Sequence, residues 1–84
     1  MYSVIFSDEA KELLKRLKKK DNVFLERINK AIKEIAQNPE HYKPLRNIMK
    51  GKRRKHIGHF VLIFSFQNNI VCIESVAHHD NAYD

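Results

Sequence analysis

The apolar residues of this chain change their spacing twice, from a strand-like to a helix-like period and back. At the start, Tyr2, Val4 and Phe6 alternate with Ser3 and Ile5. Because side chains alternate between the two faces of a strand, this pattern predicts a short first strand.

Two amphipathic helices are predicted to follow. Ser7 can cap the first, and Asp21 with Asn22 can cap the second, which runs to about Gln37 and stops at Pro39. The first apolar stripe consists of Ala10, Leu13, Leu14 and Leu17, and the second of Phe24, Leu25, Ile28, Ala31, Ile32 and Ile35. Two such stripes predict a helical hairpin packed on a sheet.

The strand-like period returns after a connection at residues 40–51. We predict a short polar strand at 52–57, a turn or bulge at Gly58, a central strand at 60–66 and a last strand at 70–77. The fold class is therefore α+β, with the order β-α-α-β-β-β and a mostly antiparallel sheet.

Length and apolar content limit the class of protein. Eighty-four residues, 43% of them apolar, predict a single domain over residues 1–84. The one cysteine, Cys72, is predicted to be a buried structural thiol. The longest apolar run, at 60–64, is far shorter than the roughly 20 residues that span a bilayer, and no signal peptide is apparent. We therefore expect a soluble cytoplasmic monomer with no membrane partner.

Positive charge is concentrated in one part of the chain. The net charge is +6, yet residues 41–73 contain no acidic residue. The cations of this segment are Lys43, Arg46, Lys50, Lys52, Arg53, Arg54 and Lys55. Clustered cations indicate a polyanionic partner, because they release counterions from phosphates. The alternative is a solvated basic face without a partner.

Alternation divides the predicted basic strand between two faces. Arg54 and His56 share one face, and Arg53, Lys55 and Ile57 share the other. One face must cover the helices, so the polar residues of the opposite face would form a row of cations beside the C-terminal tail.

The C-terminal tail concentrates groups that can transfer protons. His78, His79, Asp80 and Tyr83 lie within six positions. Adjacent histidines on an extended backbone point to opposite sides, and one cysteine offers no thiolate set, so we expect neither a metal nor another cofactor. Imidazoles carry or lose a proton near neutrality, which suits acid–base catalysis. Tyr83 is equally compatible with packing and with stacking on a base.

Other histidines have simpler interpretations. His41 is expected to be a surface residue, and His56 and His59, which flank Gly58, could each be an ordinary strand residue. RNA cleavage nevertheless needs only a base for the ribose 2′-hydroxyl, cations for the phosphate and an acid for the leaving oxygen. This basic chain can supply all three.

The order of elements and three segments resemble the RelE/ParE toxin superfamily, nearest the RelE-type messenger-RNA interferases. The segments are 45–58, which includes the basic strand, the strand that begins at Gly58 and His59, and the tail 78–83. The resemblance implies a ribosome-dependent endoribonuclease that cuts messenger RNA in the A site, and a cognate RelB-type antitoxin that blocks it.

The resemblance also implies roles for individual residues. Lys52, Arg54 and His56 match the family's basic strand, His79 matches the basic residue before the terminal tyrosine, and Tyr83 matches that tyrosine. One departure is Val61, which stands where the family usually has an arginine.

The leading hypothesis is thus a metal-independent messenger-RNA interferase. The predicted catalytic residues are His79, Tyr83, His56 and Arg54, and the predicted residues that bind RNA or the ribosome are Lys50, Lys52, Arg53, Lys55, His59 and His78. Two alternatives stay open: a ParE-like toxin that inhibits DNA gyrase without nuclease activity, and a non-catalytic RNA-binding module.

Overall fold

The predicted elements all form, in the predicted order. The computed structural model describes residues 1–45 and 51–80. Its elements are β1 (Ser3–Phe6), α1 (Asp8–Lys20), α2 (Asn22–Gln37), a short 3-10 helix (Pro39–His41), β2 (Arg53–Ile57), β3 (Phe60–Gln67) and β4 (Ile70–His78).

Side-chain caps set where both helices begin. The Ser7 hydroxyl accepts a hydrogen bond from the backbone N–H of Ala10 at 3.0 Å, and the Asp21 carboxylate accepts one from Phe24 at 3.0 Å. Each bond satisfies a donor that lacks a partner inside the helix. No helix in the described ranges is long and apolar enough to cross a membrane.

The sheet has the order β1-β4-β3-β2, with β3 in the predicted central position. β1 pairs with β4 in parallel, and the other two pairs are antiparallel. Asn68 and Asn69 close the β3–β4 hairpin with positive φ angles of 53° and 66°, as a two-residue hairpin turn requires. The predicted mostly antiparallel sheet is confirmed.

Apolar side chains are buried on both faces of β3. On the face toward the helices, Leu62 and Phe64 join a large core with Ile28 and Ile35. On the other face, called here the second face, Val61 and Ile63 form a small cluster with Leu45 and Ala77. The connection before β2 therefore covers part of the second face.

A bulge at Glu74 changes which residues of β4 face the helices. Phe64 pairs with Ile73, but the next residue of β3, Ile63, pairs with Ser75, which leaves Glu74 as an extra residue. Before the bulge the odd-numbered residues face the helices, and after it the even-numbered residues do, beginning with Val76.

Ser7 also stabilises this bulge, which provides a test of the fold. Its hydroxyl donates a hydrogen bond to the Glu74 carbonyl at 2.6 Å. Ser7→Ala removes a cap and this second bond, whereas Asp21→Ala removes only a cap. We expect Ser7→Ala to lower the free energy of unfolding by roughly 2 kcal/mol and Asp21→Ala by about 1 kcal/mol in urea titrations. Equal losses would show that the Ser7–Glu74 bond contributes nothing.

Candidate functional site

Four histidines meet in two stacked pairs at one end of the sheet. The rings of His56 and His79 lie 5.6 Å apart between centroids at an interplanar angle of 27°. Those of His59 and His78 lie 6.4 Å apart at 19°. Both adjacent histidines of the tail thus have a histidine from the β2–β3 hairpin beside them.

Strand register places the His56–His79 pair on the second face. Val61 pairs with His56 on one side and with Ala77 on the other, so these three residues share a face. His79 lies two residues beyond Ala77, and its backbone N–H donates to the His59 carbonyl at 2.8 Å, which extends the pairing past the strand. Both rings are exposed to solvent.

His78 occupies the opposite face, as predicted for adjacent residues of an extended chain. It pairs with Phe60, and the two rings meet edge to face at 5.5 Å. Asp80 follows closely, with its backbone N–H donating to Nδ1 of His78 at 3.4 Å. Within residues 1–45 and 51–80, no group of three His, Cys, Asp or Glu side chains could hold a metal ion.

Two cations of β2 lie on the face toward the helices and have partners there. Arg53 donates to the carbonyls of Glu40 and Tyr42 at 3.1 and 2.6 Å. Lys55 forms an ion pair with Glu34 of α2 at 3.4 Å and lies over the Tyr42 ring. These contacts attach the connection and α2 to the edge of the sheet. RNA binding by Arg53 and Lys55 stays a prediction.

Lys52 and Arg54 lie on the second face with His56. Arg54 pairs with Ile63 and lines a groove of about 340 Å³ with Lys43, Pro44 and Leu45. Strand register therefore places the side chains of Arg54 and His56 in one row on the second face.

Lys52 is tied to the bulge. Its ammonium group lies 3.0 Å from one carboxylate oxygen of Glu74, and the Ser65 hydroxyl donates to the other oxygen at 2.8 Å. Burial by itself raises the pKa of the Glu74 carboxyl, but the two hydrogen bonds and the charge of Lys52 outweigh it and hold this pKa below its ordinary value of 4.5.

Val61 is fully buried in the small cluster of the second face. The position where the resemblance leads one to expect an arginine is therefore part of the core. Two predicted site residues, Lys50 and Tyr83, lie outside the described residues.

Comparison with known proteins agrees with this geometry. The chain matches the family described as ParE toxin of type II toxin–antitoxin system, parDE, over residues 4–83. It is also 38% identical to a candidate toxin, RelE4, of Methanocaldococcus jannaschii, in an alignment that covers 99% of this chain and 92% of that protein. The chain belongs to the RelE/ParE toxin superfamily.

Solved structures of other toxins share the fold of this one. The YoeB–YefM complex from Staphylococcus aureus matches with a TM-score of 0.82 and 22% identity, covering 94% of this chain and 98% of the other. The intact RelBE toxin–antitoxin complex from E. coli matches with a TM-score of 0.72 and 21% identity, covering 93% and 96%. At these identities the likeness establishes the fold.

The structure corrects the expectation for Cys72, whose side chain is only partly buried. It lies on the second face opposite Ile5, in a groove that Ile70 also lines. Desolvation and the nearby charge of Glu74 raise the pKa of its thiol despite the opposing effect of Lys52, so this thiol loses its proton less readily than an ordinary cysteine. Only one face of the apolar run 70–73 is fully buried, the face that carries Val71 and Ile73.

Sequence reasoning also missed Arg27 of α2, which lies against the β2–β3 turn. A Cβ atom added at Gly58 would lie 2.9 Å from Nη2 of Arg27. Arg27 stands in the half of the chain where charges are nearly balanced, so composition gave no signal for it.

The lowered pKa of Glu74 predicts a pH-dependent contribution to stability. A carboxyl whose pKa is lowered by folding stabilises the fold above its unfolded pKa, and this contribution disappears as the pH falls through the folded pKa. We expect Glu74→Gln to lower the free energy of unfolding by roughly 1–3 kcal/mol at neutral pH, and the difference from wild type to shrink as the pH falls below 4.5, the ordinary pKa of the carboxyl.

Urea unfolding at several pH values measures this difference. Glu26→Gln, which neutralises an exposed carboxyl of α2, is the matched control. A Glu74→Gln deficit that stayed constant across the acid range would contradict the assignment.

Proposed function

We propose that this toxin is a metal-independent endoribonuclease that cuts messenger RNA in the ribosomal A site. The single observation that carries the proposal is the stacked pair of His56 and His79. Two exposed imidazoles, one on β2 and one just beyond the end of β4, lie 5.6 Å apart on the second face, in the same row as Arg54. A toxin that acts only by binding has no need of paired proton-transfer groups.

The chemistry requires one proton acceptor and one proton donor. One imidazole of the pair accepts the proton of a ribose 2′-hydroxyl as its oxygen bonds to the adjacent phosphorus. The bond from phosphorus to the 5′-oxygen then breaks, and the other imidazole, in its protonated form, donates a proton to that oxygen. The products are a 2′,3′-cyclic phosphate and a 5′-hydroxyl, and the nucleophile comes from the RNA itself.

Cations near the pair stabilise the negative charge that grows on the phosphate. Arg54 is the leading candidate on the second face, since a guanidinium can hold two phosphate oxygens at once. We assign Tyr83 a stacking role on the substrate, as the resemblance implies, and Lys50, a cation of the basic segment, a role in binding RNA. Lys52, His59 and His78 are proposed to contact RNA outside the scissile phosphate.

We further propose that a RelB-type antitoxin inhibits this toxin. The proposal is supported by the YoeB–YefM complex and by the RelBE2 toxin–antitoxin complex from Mycobacterium tuberculosis, which share this fold. An acidic antitoxin segment would complement the basic residues of β2.

A ParE-like inhibitor of DNA gyrase is the second candidate function. The match to the ParE toxin family favours it. A gyrase supercoiling assay separates the two candidates. If the purified toxin inhibits supercoiling and leaves messenger RNA intact in a translation extract, gyrase inhibition replaces the nuclease proposal.

The nuclease proposal is tested by single histidine variants in a cell-free translation extract, with primer extension on a defined messenger. We expect His56→Ala and His79→Ala each to reduce the rate of cleavage about 10²- to 10⁴-fold, because each removes one proton-transfer group. His41→Ala, which changes an exposed histidine on the short 3-10 helix, is the control and should cut at the wild-type rate.

The double variant sharpens this test. If the two imidazoles act in one step, the His56→Ala, His79→Ala double variant should lose little more activity than the worse single variant. Wild-type cleavage by the double variant would refute the assignment of the site while leaving the fold untouched.

The antitoxin proposal predicts that a neighbouring small acidic reading frame encodes the inhibitor. Co-expression of its product should restore growth to cells that produce the toxin, and the two proteins should co-purify. Growth arrest that persists despite equal expression of both proteins would argue against that partner.

A further inference from the structure

Arg27 brings a guanidinium to the turn that joins β2 and β3. Gly58 at this turn has a positive φ of 61° and no side chain, and Nη2 of Arg27 lies where any side chain would begin, 2.9 Å from an added Cβ. The present position of the guanidinium over the hairpin backbone therefore depends on the absence of a side chain at residue 58.

Arg27 lies between two grooves. One groove, of about 280 Å³, is also lined by Lys30, Lys55 and His56. The other, of about 470 Å³, is mostly apolar and contains Phe24 and Phe60. The guanidinium thus lines a groove that reaches β2, the strand that carries His56, whose ring lies on the second face of the sheet.

Three cations of the basic segment already have partners in the protein. Lys52 binds Glu74, Lys55 binds Glu34, and Arg53 donates to two backbone carbonyls. Arg27 is exposed and has no hydrogen bond or ion pair with any residue in the part of the chain that the structure describes. Its five N–H donors are therefore available to a ligand.

We propose that Arg27 binds a phosphate of the RNA chain at the edge of the sheet, across β2 from the His56 ring. The inference rests on the proposed function, since it takes RNA as the substrate of the same site. The polyanion would pass along the groove between α2 and β2, where Arg27 and Lys30 supply positive charge, and the fork of Arg27 would hold one phosphate in two contacts. The RNA chain beyond that phosphate would cross the edge of β2 toward the His56 ring on the second face.

Binding of a single-stranded RNA tests the role of Arg27 without requiring cleavage. The probe is a fluorescent RNA with 2′-O-methyl groups on every ribose, which cannot undergo internal attack, and the measurement is anisotropy at several salt concentrations. We expect Arg27→Ala to weaken binding about tenfold to a hundredfold and to reduce the slope of log K against log salt by about 0.7. The affinity of Arg27→Lys should fall between those of wild type and Arg27→Ala, because lysine keeps the positive charge but lacks the planar fork of the guanidinium.

Lys33→Ala is the matched control. Lys33 is an exposed cation of the same helix that lines neither groove, so its removal changes the net charge equally. Equal affinities for Arg27→Ala and Lys33→Ala, or no salt-dependent binding by wild type, would overturn the inference. Arg27 is exposed, so both variants should melt at the wild-type temperature.

Cleavage assays separate this inference from the proposed function. If wild type binds the probe through Arg27 but leaves messenger RNA intact in the translation extract, the phosphate-binding role stands and the nuclease proposal fails. If wild type cuts messenger RNA and Arg27→Ala cuts as fast as Lys33→Ala, the nuclease proposal stands and the role of Arg27 is refuted.

Discussion

The bulge at Glu74 determines which histidine of the tail meets His56. A regular β4 strand paired in the register of its first half would place His78 on the second face and turn His79 toward the helices, because a one-residue slip reverses every later side chain. The same slip would replace Val76, which packs against the core, with Ser75. Packing and chemistry therefore require the same extra residue, and the contacts of Glu74 with Lys52, Ser65 and Ser7 stabilise it.

Some cations of the basic segment make contacts within the protein, and composition cannot distinguish them from cations that are available to a ligand. Arg53 and Lys55 join the connection and α2 to the sheet, and Lys52 neutralises the carboxylate of the bulge. That carboxylate, Glu74, is the first acid after the acid-free stretch 41–73. The structure thus uses much of the positive charge internally, and less of it is available for RNA than the count suggests.

Periodicity was sufficient to predict the elements and their order, because caps, apolar stripes and turn residues all agree in this chain. The stacking of His56 on His79 could not be predicted, since it depends on the registers of three strands and on a bulge that has no sequence signature here. The approach of Arg27 to Gly58 joins residues 31 positions apart, and only packing of α2 against the hairpin creates it. The proposed role of Tyr83 rests on the resemblance, and that of Lys50 on its place among the cations of the basic segment.

The basic strand has a further consequence because it lies at an edge of the sheet. An edge strand presents backbone N–H and C=O groups to which a strand of another molecule could add. Here Pro44, which has no N–H, pairs beside Arg53, and three consecutive cations follow along a strand of only five residues. Two copies of this edge would bring like charges together, so β2 is protected against edge-to-edge aggregation whether or not nucleic acid is bound.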